Sequence, residues 1–261
     1  VQLTDGARVI LDAGTGLHPL GLTFPPAAPS VAGARPTVTV LLTHRHGDHV
    51  NGLAHFAPLV TRSHHVRIAA GAVDAASLRT LVNQQLTAPL FPTLDGLTDA
   101  ITVDAFDDSG TYLVSDGCRV VALPAQHPGG AVILRVDDRN GPVVAYAPDN
   151  ELALWNDESS VNAWRRRLAT ALRGIPVLIH DATYVDDELP AHRGWGHSSA
   201  EEATRFAIAC EAGSLLLTHH HPERSDDQVD EIVTRCRLLA SAAGSTLRVM
   251  GATERSPVVV G

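Results

Sequence analysis

The chain has 261 residues, 44% of them apolar and 19% charged, which is enough for a large buried core. No uninterrupted apolar run reaches the roughly 18 residues that a membrane helix needs. The formal net charge is −9 and all 20 residues of the Lys+Arg class are arginine, so the chain lacks the basic footprint expected of a nucleic-acid binder.

The chain opens on Val1 with a polar segment and no secretory pattern, which points to a trimmed start. Three widely spaced cysteines, Cys118, Cys210 and Cys236, form no CxxC and read as buried free thiols in a cytoplasmic protein. A first strand is predicted at 7–12, running into Asp12-Ala13-Gly14. A second, at 37–42, runs directly into Thr43-His44-Arg45-His46-Gly47-Asp48-His49. Strands are expected at 66–70 and 100–104, with a helix near 74–86 between them. The segment 87–99 carries two prolines and Phe91 and reads as a loop that closes over a pocket.

Strands follow at 119–124, 131–136 and 142–147, the last two joined by an Asn140-Gly141 turn. Alternation then sets in: a helix near 159–172, a strand at 175–180, a helix near 198–212, a strand at 214–218, a helix near 225–242 and a strand at 246–250. The helix near 198–212 opens on Ser198-Ser199 and carries Glu201 and Glu202 in its first turn. This order predicts an α/β (α+β) chain forming one domain over 1–261, with two mixed sheets covered by outer helices.

Four potential metal ligands lie in the six residues from His44 to His49, straight after an apolar strand. Such strand ends are where open sheets present ligands. His44 and His46 alternate along extended chain and can aim at one point, while Asp48 and His49 turn toward a second. Imidazole and carboxylate together suit zinc, and also manganese or iron.

The segment matches the HxHxDH motif of the metallo-β-lactamase superfamily, and the chain resembles that superfamily over nearly its whole length. Ile10-Leu11-Asp12-Ala13-Gly14-Thr15-Gly16 is similar to its first strand and loop. Gln126-His127-Pro128, Pro148-Asp149-Asn150 and Thr218-His219 follow in the expected order, each after an apolar strand. The resemblance implies an αββα four-layer sandwich holding two divalent ions, Zn2+ before Mn2+ or Fe2+. His44, His46 and His127 would bind one ion, Asp48, His49 and His219 the other, and Asp149 would bridge them. His219 is preferred over His220 and His221 because it comes first after the strand. A homodimer is expected from the resemblance alone.

Two ions about 3.5–4 Å apart can activate a bridging water and clamp an in-line displacement. Ile179-His180-Asp181-Ala182-Thr183 resembles the His-Glu-Ala-Thr segment of ribonuclease Z-like phosphodiesterases, with Asp181 in place of glutamate. Gly196-His197-Ser198-Ser199 resembles their His-Ser-Thr segment. The resemblance implies catalytic roles for Asp48, Asp181 and His197, with His197 aiding the departing oxygen. Ribonuclease Z carries a long basic arm between the third histidine and the bridging aspartate, whereas His127 and Asp149 here are 22 positions apart. The expected substrate is therefore a small phosphodiester such as a cyclic nucleotide, without tRNA, duplex nucleic acid or membrane as partner. Lactone, thioester or β-lactam hydrolysis at the same metals, and a non-catalytic metal-binding relative, are the alternatives.

Other residues divide between the pocket and the scaffold. His18, Phe91 and Trp195 are candidate substrate contacts. Asp12 is expected to orient the metal loops through backbone hydrogen bonds. His55, His64 and His65 read as structural or exposed, and Arg165, Arg166 and Arg167 as a solvated helix face.

Overall fold

The computed structural model describes all residues except 4, 5, 7, 26–34, 72, 88–98, 108, 109, 153–157, 255–257 and 259–261, and of 158–161 only the backbone. Phe91 and the predicted lid thus lie outside the described residues. The strands are β1 (Val9–Leu11), β2 (Thr37–Leu42), β3 (His65–Ala70), β4 (Ile101–Ala105), β5 (Thr111–Ser115), β6 (Cys118–Pro124), β7 (Val132–Asp138), β8 (Gly141–Ala147), β9 (Val177–Asp181), β10 (Ser214–Thr218) and β11 (Arg248–Gly251). The helices are α1 (Leu17–Gly21), α2 (Ala57–Val60), α3 (Ala75–Leu86), α4 (Glu158–Ala171), α5 (Ala200–Ala209) and α6 (Asp226–Ala242).

Two sheets form, in the orders β1-β2-β3-β4 and β11-β10-β9-β8-β7-β6-β5. The first is parallel throughout, not mixed as expected. Its central strands are buried along most of their length, as parallel strands with both faces covered must be. In the second, β7 and β8 pair antiparallel and β8 through β11 run parallel.

The chain divides into two compact units, Val1–Val120 and Val121–Gly261. The core of the first joins Val40, Leu42 and Ile68 of its sheet to Leu78 and Val82 of α3 and to Phe56 and Leu59. In the second, Leu178, Leu215 and Val249 pack against Trp164 and Leu168 of α4, Phe206 of α5 and Val233 and Cys236 of α6. Removing one such leucine side chain would cost about 2–5 kcal/mol.

Polar side chains cap three of the longer helices. Asp74 caps α3 and Ser199 caps α5, while Ser225 and Gln228 form a reciprocal capping box on α6. All three cysteines are buried thiols outside any disulfide, and burial pushes the Cys210 thiol up to about 12 and that of Cys236 to about 11. Both therefore stay protonated and inert at neutral pH. No described helix is long and apolar enough to cross a membrane.

Candidate metal centre

In the first unit the histidine motif leaves β2 and turns through a short 3-10 segment, Gly47–His49. Asp12, just past β1, anchors it. Asp12 is buried and adopts φ 61°, a left-handed conformation that aspartate tolerates better than most residues. Its Oδ1 accepts from the Thr43 N–H at 2.7 Å, and its Oδ2 accepts from the Thr43 hydroxyl at 2.8 Å and from His49 Nδ1 at 2.7 Å. With its proton committed to Asp12, the Thr43 hydroxyl accepts from His44 Nδ1 at 3.0 Å. Both imidazoles are thereby held by Nδ1, which leaves Nε2 as the basic nitrogen. His44 Nε2 lies 3.0 Å from His46 Nδ1, and His49 Nε2 lies 3.1 Å from Asp48 Oδ2. Gly52 lets this loop close on the turn after β1, because a Cβ there would fall 2.0 Å from the Gly14 carbonyl oxygen.

The second unit repeats the device. Asp181, at the end of β9, is fully buried. Its Oδ1 accepts from the N–H and hydroxyl of Thr183, each at 2.9 Å, and its Oδ2 accepts from His197 Nδ1 at 2.7 Å. The Thr183 hydroxyl in turn takes His219 Nδ1 at 3.1 Å. His219 itself adopts φ 55° directly after β10. His127 Nδ1 donates to the Gly196 carbonyl at 3.0 Å.

These bonds arrange the imidazoles around Asp149. His127 Nε2 lies 3.5 Å from Asp149 Oδ2, and His219 Nε2 lies 3.4 Å from Oδ1, so each carboxylate oxygen faces one imidazole. The His197 ring stacks on that of His219 with centroids 5.1 Å apart. Burial lowers the His197 pKa, but the Asp181 hydrogen bond and the charges of Asp181, Asp149 and Glu151 outweigh it, and the net shift is upward.

The family described as β-lactamase superfamily domain matches residues 7–220 of this chain. The chain belongs to that family. The Ribonuclease Z of Exiguobacterium sp. is 28% identical over 249 residues, covering 77% of each chain. The metallo-β-lactamase fold protein YhfI from Bacillus subtilis superposes with a TM-score of 0.64 at 18% identity, over 95% of this chain and 86% of that one. A diphosphatase of the PhnP family gives a TM-score of 0.56 at 18% identity, over 86% of this chain and 73% of that one. The two-sheet architecture is thus the metallo-β-lactamase fold. The name of the Exiguobacterium relative weighs against the expectation that tRNA is no partner.

The residues of this superfamily member fit a divalent metal by chemistry and by spacing. Donors around a tetrahedral zinc at about 2.0–2.1 Å stand roughly 3.4 Å from one another, close to the spacings within each unit. Asp149, His197 and His219 also bring one ligand atom apiece within 4.8 Å of each other. The donor set, imidazole with carboxylate, suits zinc, manganese or iron alike.

Asp12 controls the protonation pattern of two histidines. Asp12→Ala is therefore expected to lower zinc affinity by about 10–100-fold, measured by competition with a chromophoric chelator, while the protein stays folded.

The remaining expectations divide. His18 is exposed on α1 and its Nδ1 meets the His55 carbonyl at 3.3 Å, a scaffold contact rather than one with the histidine motif. Trp195 is 61% exposed, edge-on to His192 and two residues from His197. His64 is buried against Phe24, and His65 bonds Thr102, so both are structural. Arg166 and Arg167 are exposed and Arg165 half-buried on α4.

Sequence reasoning missed Thr43, Thr183, Asn150, Ser198 and Glu151. Asn150 accepts from the Gln126 N–H at 3.0 Å and contacts His180 Nε2 at 3.1 Å, and its carbonyl accepts from the Ser198 hydroxyl at 2.6 Å. It ties the loops of His127, Asp149, Asp181 and His197 together. An asparagine directly after the predicted bridging aspartate was the available signal.

Proposed function

We propose that this chain is a metal-dependent phosphodiesterase. One observation carries the reading: His197, held by buried Asp181 at 2.7 Å, stands over the His219–Asp149 cluster, where a departing oxygen would need a proton. A thioester hydrolase, whose thiolate departs without a proton, has less use for such a donor. His44, His46 and His127 would hold one ion, and Asp48, His49 and His219 the other, with Asp149 between them. Bound there, two divalent ions would supply an activated water and offset charge on the phosphoryl oxygens.

The protein's own residues do the rest. Asp181 fixes the His197 ring, keeps its Nδ1 protonated and favours the imidazolium, so that Nε2 can donate. Thr43 and Thr183 hold His44 and His219 in the tautomer that presents Nε2. Trp195, exposed beside His197, offers a flat surface to a base or sugar of the substrate.

The proposal concerns the bond that is cleaved. The net charge of −9 and the tight β7–β8 hairpin between His127 and Asp149 favour a small diester. The Ribonuclease Z relative favours an RNA end. A panel decides: bis-p-nitrophenyl phosphate, cyclic nucleotides and a tRNA precursor with a 3′ extension, set beside lactone, thioester and cephalosporin substrates. Turnover of any diester above the acyl substrates is expected. Turnover of acyl substrates alone would overturn the reading.

A further inference from the structure

Glu151 lies two residues beyond Asp149 and is fully buried. Its N–H donates to the Gln126 carbonyl at 2.9 Å, beside His127. Burying a carboxylate is costly unless polar groups meet it. Here the partners are backbone amides of one short turn more than forty residues away: Oε1 accepts from the Gly194 N–H at 2.9 Å, and Oε2 from Gly194 at 3.0 Å and Gly196 at 2.9 Å. Gly194 and Gly196 both have positive φ, 82° and 89°. The Gly194 and Gly196 amides thus converge on one carboxylate, while the Trp195 N–H between them donates to the His192 carbonyl at 3.1 Å, so the turn makes an anion-binding concavity and the chain supplies the anion itself.

This turn does two things at once. The Gly196 carbonyl takes the Nδ1 proton of His127, and the Gly196 backbone lies so close to that ring that a Cβ would fall 2.2 Å from Nδ1. The following residue is His197, joined to Asp181. The path from Glu151 through Gly196 therefore ends both on a candidate metal ligand and on the candidate proton donor. Gly196→Ala, which combines this clash with a positive φ, is expected to lower the midpoint of a urea melt.

We propose that Glu151 is a positioning residue that, through the Gly194–Gly196 turn, aims His127 at the metal and His197 at the departing oxygen. The second half of this rests on the phosphodiesterase reading, and the first half does not. Three variants test it, each followed by thermal melting, zinc competition and diester kinetics. Glu151→Ala is expected to lose about 10–100-fold in zinc affinity. It should also lose more kcat on a diester with an alkoxide leaving group than on a p-nitrophenyl diester, with KM little changed.

Glu151→Gln is expected to recover most of the zinc affinity, because its amide oxygen can take the place of Oε2 and accept from both glycines. Should the alanine variant not fold, Glu151→Asp replaces it. That variant keeps the charge but withdraws it from the turn by one methylene, and it is expected to lose zinc affinity likewise. Wild-type zinc affinity in a folded Glu151→Ala or Glu151→Asp protein would overturn the proposal, as would a glutamine variant no better than alanine. If the wild-type protein cleaves no diester, the functional reading fails while the zinc competition still reports on Glu151.

Discussion

Asp149→Ala is expected to lower diester turnover by at least about a thousandfold, well beyond the roughly 100-fold that loss of a supporting residue costs. The reason lies in the two faces of one carboxylate. Asp149 is 4% exposed and meets His127 on one oxygen and His219 on the other. On the proposed assignment its loss would remove a negative ligand from each ion and leave Asp48 as the one carboxylate among the proposed ligands. The variant should bind fewer than two ions per chain by elemental analysis.

Heat stability should report the same loss. A ligand at about 100 times its Kd stabilises a fold by about 2.7 kcal/mol. Added zinc should therefore raise the Tm of the wild type markedly and that of Asp149→Ala hardly at all. An Asp149→Ala protein with two ions and full turnover would show that the carboxylate is a bystander.

The second large effect separates chemistry from metal binding. His197→Ala is expected to lower kcat by about 100–10,000-fold on a diester whose leaving group is an alkoxide, the range for removal of a general acid. On bis-p-nitrophenyl phosphate the loss should be much smaller, because p-nitrophenolate departs without a proton. Metal content should not change. That last readout matters because His197 also lies within ligand distance of Asp149 and His219. A variant that loses an ion would make His197 a ligand and sink its role as proton donor. Asp181→Asn should fall between the two proteins, since the amide keeps the ring in place but no longer favours the imidazolium.

Much of the fold was readable because long apolar runs end abruptly in Gly, Pro, Asn or Asp. All ten predicted strands correspond to observed ones, and the shifts are at their ends. β5 (Thr111–Ser115) was missed because it is short and two-faced, with Tyr112 buried and Leu113 exposed beside polar residues. α1 and α2 were missed because each spans about one turn and contains a proline, Pro19 or Pro58, so no helical period could show.

The candidate ligands were legible because metal chemistry restricts them to a few side-chain types at strand ends. Their supports were not. Thr43 and Thr183 act through one hydroxyl each, and Glu151 acts through amides of residues 194 and 196, whose nearness depends on the finished fold. Nothing in the sequence says that a carboxylate more than forty residues away fills the turn at 194–196.

A phosphodiesterase that works through two divalent ions should lose its activity with them. The most direct measurement is to strip the protein with a chelator, return zinc in measured equivalents, and follow bis-p-nitrophenyl phosphate hydrolysis at each step. No turnover is expected after stripping, and then a rise that levels off at two ions per chain. Turnover that survives stripping, or a chain that takes up two ions and leaves every diester intact, would contradict it.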